Sequence, residues 1–75
     1  MDGSDYSVVL FYSTSGAIRA EKLTKEEGLK VKLIPVPRHL SSDCGVCLRF
    51  ESVDADKVRS ILGSAQVEFE DICAL

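Results

Sequence analysis

Seventy-five residues make one domain and leave little room for a separate catalytic lobe. With 45% apolar and 28% charged residues, the composition is that of a folded globular chain and not a disordered one. Nine basic against twelve acidic residues leave a net charge of −3, which disfavours general nucleic-acid binding because such a chain repels phosphate backbones.

In chain order, residues 1–5 form a polar, acidic lead-in without the basic and apolar blocks of a secretory signal. The apolar run from Val8 to Tyr12 falls far short of the roughly 20 residues that span a bilayer, so no membrane partner is expected. A cytoplasmic location follows as the simplest expectation, with thiols kept reduced. Three cysteines, an odd number, argue against a disulfide framework.

Ser7–Tyr12 is nearly continuously apolar and rich in β-branched and aromatic residues, the pattern of a central strand. Ser13, Thr14, Ser15 and Gly16 then supply cap and turn chemistry for a helix over about 16–27, ended by Gly28. On a 3.6-residue period Ala17, Ala20, Leu23 and Thr24 share a face, and the small alanines let that face sit close to a sheet. Ile18 points elsewhere, toward loop packing or a partner. Lys22, Lys25, Glu26 and Glu27 read as a solvated face.

Val31–Pro37 reads as a second strand, placed at a sheet edge because Pro35 has no N–H to donate to a ladder. Val46, Leu48 and Phe50 alternate with Cys47, Arg49 and Glu51, the period of a half-buried third strand. A short helix over about 55–62 follows, with Asp54 as cap, Val53 and Val58 as a hydrophobic staple and Gly63 as stop. Val67–Ile72 reads as the fourth strand.

The order β-α-β-β-α-β predicts an α+β fold of the ferredoxin-like kind over residues 1–75. Right-handed crossovers give a two-layer sandwich: a four-stranded antiparallel sheet of order 4-1-3-2 with two helices on one face. That topology brings the turn at residues 13–16 and the loop at residues 38–45 to the same end of the sheet. Cys73 is expected toward the opposite end.

The chemistry concentrates in the loop from Pro37 to Cys47. The thiolate is the nucleophilic form of cysteine, and an ordinary thiol is only a few per cent ionised at neutral pH. Around Cys44, Arg38 brings permanent charge, His39 a charge or a proton relay, and the first helix its N-terminal dipole and free N–H groups. Asp43 acts in the opposite sense. Gly45 permits a tight or left-handed turn and leaves the sulfur open to solvent. Ser41 and Ser42 join Ser13, Thr14 and Ser15 as candidate ligand contacts, with capping and turn roles as the plain alternative. For Cys44 the plain alternative is a buried small residue.

Cys44-Gly45-Val46-Cys47 is also a C-x-x-C, which makes Cys47 a candidate resolving thiol. In a regular strand the two sulfurs point to opposite faces, so a disulfide requires a bulge at Gly45. A structural zinc site needs four ligands, and the candidates Cys44, Cys47, His39 and Cys73 include one placed far away, so no metal is expected. Arg38 follows a stiff Pro-Val-Pro run that fixes where its guanidinium points, which suits an anionic ligand or a surface carboxylate.

Val8–Thr14, Ala17–Leu23, Gly28–Arg38 and Ser41-Ser42-Asp43-Cys44-Gly45 together resemble the selenium/sulfur carrier protein-like family of small bacterial proteins, over roughly residues 6–72. The most specific part is Pro-x-Pro-Arg, a short spacer, then Ser-x-x-Cys-Gly, matched by Pro35 to Gly45. The resemblance implies a cysteine that carries sulfur or selenium as a persulfide or perselenide between enzymes, and by position that cysteine is Cys44. Donor and acceptor proteins are the implied partners, with no cofactor. A carrier or binding protein fits the chain better than a turnover enzyme. The alternatives are a non-catalytic binding or regulatory module and a thiol–disulfide exchange protein. A homodimer through the open sheet face is a further expectation.

Overall fold

The computed structural model describes residues 5–40 and 44–75. In chain order it has β1 (Tyr6–Leu10), α1 (Thr14–Glu26), β2 (Val31–Pro35), β3 (Val46–Glu51), a 3-10 turn (Ser52–Asp54), α2 (Ala55–Ser64) and β4 (Asp71–Ala74). The sheet order is β2-β3-β1-β4 and every neighbouring pair is antiparallel. This is the expected ferredoxin-like arrangement, with β2 at an edge. No helix among the described residues is long and apolar enough to cross a membrane.

Strand alternation sorts the core into two layers. Val9, Leu48 and Phe50 point to one face, where Ala17 and Ala20 of α1 and Val58 and Leu62 of α2 cover them. Full burial of each large apolar side chain contributes about 1.5–3 kcal/mol. The other face carries Val8, Leu10 and Cys47, with Ile34, Val36, Leu40 and Cys73 packed against them. Among the described residues no helix covers that face. Leu40, at the end of the turn that follows β2, reaches back over this face.

α1 starts two residues earlier than its sequence pattern indicates. Ser13 is its N-cap, and the Gly16 amide donates to Ser13 Oγ at 3.3 Å. Gly28 just beyond the helix takes φ +84°, the left-handed conformation that suits a residue without a Cβ.

The second half of the chain departs further from expectation. Asp54 occupies the cap position of α2 but makes no side-chain capping bond. Val53 is 88% exposed, so no staple with Val58 forms. The cause is the 3-10 turn, held by Ser52 N–H donating to the carbonyl of Asp5, just ahead of β1, at 2.9 Å and by the Ser52–Ser7 hydroxyl contact to β1 at 2.7 Å. These bonds set the helix entry and turn Val53 outward. Gly63 lies inside α2 and does not stop it. The reversal falls on Gln66 at φ 58°, while Arg19 Nη2 donates to the Ala65 carbonyl at 3.2 Å beside the helix end.

The fourth strand is consequently Asp71–Ala74 and not 67–72. The stretch before it is used to return from α2 to the sheet edge. Val67 and Phe69 still pack into the helix-side core, and Glu70 N–H donates to Leu10 O at 2.6 Å to start the ladder. Cys73 therefore sits opposite Val8 in mid-sheet, not at the far end.

Candidate functional site

The turn into α1 and the loop ahead of β3 meet at one end of the sheet, as the topology requires. Thr14 Oγ1 lies 3.6 Å from Cys44 Sγ across thirty positions of sequence. Thr14 is the first residue of α1, so this sulfur stands beside the helix end that favours an anion. The Ser13 hydroxyl and carbonyl take the Gly16 and Ala17 amides. Ser13 thus acts as the cap, and its hydroxyl also contacts that of Ser15 at 3.3 Å.

Cys44 is only 3% exposed, which corrects the expectation of an open sulfur. The reason is strand parity. Residues 44, 46, 48 and 50 continue one alternation, so Cys44 falls on the helix side and joins the core of Val9, Phe11 and Ala17. Gly45 is exposed, and a Cβ added there would meet nothing within 4 Å. Among the described glycines only Gly28 has positive φ, so Gly45 is not the left-handed turn that the sequence pattern allowed.

Arg38 and His39 are exposed in a turn closed by Leu40 N–H donating to Pro37 O at 3.0 Å. Val36 N–H donating to Gly45 O at 3.1 Å ties the base of the loop. Among the described residues no carboxylate pairs with Arg38. Ser41, Ser42 and Asp43 lie outside the described residues.

Cys47 is fully buried in the other layer, with its S–H directed to Pro35 O at 3.9 Å. Burial first, and then the neighbouring Cys44 charge, push its thiol up from the ordinary value. No bulge brings the two sulfurs to one face, and all three cysteines are free thiols. Cys73 shares the layer of Cys47, and its thiol is also raised, by burial ahead of the charge and hydrogen bond of Asp71. Among the described residues no three His, Cys, Asp or Glu side chains converge on a point.

What sequence reasoning missed is the specific role of Thr14 among the serines and threonine of the turn. The signal available was position: the first residue of a helix that the topology brings to the cysteine loop.

Fold and site together define a small ferredoxin-like domain with one cysteine seated at the start of its first helix. The chain belongs to the family described as "Putative Se/S carrier protein-like", whose model matches residues 5–74. No curated protein and no solved structure matches the chain.

Proposed function

We propose that the protein is a sulfur or selenium carrier that holds a persulfide or perselenide on Cys44 for transfer between partner proteins. The observation that carries this reading is the 3.6 Å approach of Cys44 Sγ to Thr14 Oγ1 at the first residue of α1. Membership of the Se/S carrier protein-like family supports it.

The transfer balances without an outside oxidant. Cys44 thiolate attacks the terminal sulfur of a donor persulfide, the donor S–S bond breaks, and the donor leaves as a thiolate. The electron pair of the broken bond departs with it. Delivery repeats the step with an acceptor thiolate as the attacking group and Cys44 as the leaving group. A perselenide follows the same path with selenium as the terminal atom. The helix start favours the anionic forms on both sides of the step.

Burial of the sulfur adds a condition. Cys44 must leave its seat beside Thr14 and the helix-side core to meet a donor, and its return then shields the carried atom from free thiols. Cys47, in the opposite layer, has no part in the transfer.

The test is incubation with a cysteine desulfurase and cysteine, followed by intact and peptide mass spectrometry. The expected result is one added sulfur on Cys44, absent in Cys44→Ser and retained in Cys47→Ala and Cys73→Ser. No adduct, or an adduct spread evenly over the three cysteines, would reject the carrier reading.

The 3% exposure of Cys44 favours one other reading, a binding module in which Cys44 is a packing residue and Arg38, paired with no carboxylate among the described residues, docks an anionic partner. Partner binding that survives Cys44→Ala and is lost in Arg38→Ala would select it.

A further inference from the structure

Four of the nine basic residues, Lys25, Lys30, Lys32 and Arg49, line a single cleft of about 610 Å³. This is a strong concentration for a chain of net charge −3. The β2–β3 register places Lys32 directly opposite Arg49. Like charges facing each other across a ladder are destabilising unless something compensates them. No carboxylate does so: among the described residues the ion pair is Lys25 with Glu21, at 3.2 Å.

Arg49 instead lays its guanidinium over the Tyr6 ring, 4.7 Å from the centroid. Stacking of this kind leaves the N–H edges of the guanidinium open to an acceptor. Glu51 is the one acid in the lining and opposes an anion, while Glu21 neutralises part of Lys25. Lys30, Lys32 and Arg49 set against Glu51 leave the cleft a net positive charge of two. Leu29 and Val31 border the cleft but turn their side chains into the helix-side core. The cleft lies where β1 begins and β3 ends, whereas Cys44 precedes the start of β3, so the two regions occupy opposite ends of the sheet.

We propose that this cleft binds a phosphate-bearing small molecule, with Lys30, Lys32 and Arg49 holding the phosphate charge. A nucleic-acid strand is disfavoured because the rest of this acidic surface repels a long polyanion. The inference stands apart from the role of Cys44, and Cys44→Ser is expected to bind as the native chain does.

The experiment is calorimetric titration of the full chain at low salt with metal-free ATP, pyrophosphate, adenosine and a poly-glutamate peptide. ATP is expected to bind saturably, pyrophosphate more weakly and adenosine not at all, with affinity falling as NaCl is raised. Lys32→Glu should weaken ATP binding at least tenfold. Arg59→Glu, on exposed α2 and equal in charge change, should alter it less than twofold. Lys30→Gln, a milder change at an exposed position, should weaken binding about threefold and guards against a folding defect in the first variant. Absence of saturable binding of both ATP and pyrophosphate would overturn the proposal. So would equal weakening by Lys32→Glu and Arg59→Glu, or binding of poly-glutamate in place of both phosphates.

Discussion

Cys44 and Thr14 show how little separates a packing cysteine from a chemical one. The sulfur is buried, yet its close polar neighbour is the hydroxyl that opens α1. A hydrogen bond to a charged group contributes about 1.5–3 kcal/mol, so loss of the hydroxyl should be visible in anion chemistry. Thr14→Val keeps the shape, and alkylation of Cys44 at neutral pH should slow by about tenfold. Site-resolved mass spectrometry after timed iodoacetamide labelling measures this, with Cys73 as internal reference. An unchanged rate would mean that the contact does nothing for the thiolate. Cys47 yields a pH prediction. Its thiol is raised in the folded chain, so the unfolded chain loses that proton first as pH climbs. The stability it contributes is complete below the ordinary thiol value and declines as pH rises past it toward the folded value. The melting temperature should therefore fall between about pH 8 and 10, and Cys47→Ala should flatten that fall. Parallel slopes for the two proteins would refute the assignment.

At the scale of elements, the first half of the chain was legible and the second half less so. β1, α1 with its Ser13 cap and Gly28 stop, the edge position of β2 and the alternation of β3 all follow from local chemistry. α2 and β4 did not, because the bonds that set their limits are tertiary. Ser52 is tied to β1, Gly63 stays helical, and Gln66 makes the reversal that a glycine was expected to make. Two glycine substitutions separate backbone demand from available space. Gly28→Ala forces a Cβ into a left-handed residue and should cost about 1 kcal/mol, a drop of roughly 4–8 °C in melting temperature. Gly45→Ala meets neither a positive φ nor a neighbour within 4 Å, and its melting temperature should match the native chain within about 2 °C. Equal losses in thermal denaturation would show that the loop, and not φ, decides.

The whole molecule is a small core divided by one sheet, and a single large side chain carries much of its stability. Leu62 is fully buried between α2 and the sheet, so Leu62→Ala should cost about 2–5 kcal/mol. A domain of this size has only about 4–11 kcal/mol in total. Urea unfolding should show a lower midpoint with an unchanged slope, and a loss under about 1 kcal/mol would mean that the site collapses to fill the cavity. At this scale the residues alone determined the element order, the antiparallel sheet with both helices on one face, and the meeting of the cysteine loop with the start of α1. Those outcomes follow from periodicity and from the handedness of crossovers, which are properties of the chain itself. Tertiary structure decided which thiols are buried, which layer each one faces, and that Lys32 stands against Arg49. Burial and register depend on what packs across the sheet from distant parts of the chain, and no local pattern encodes that.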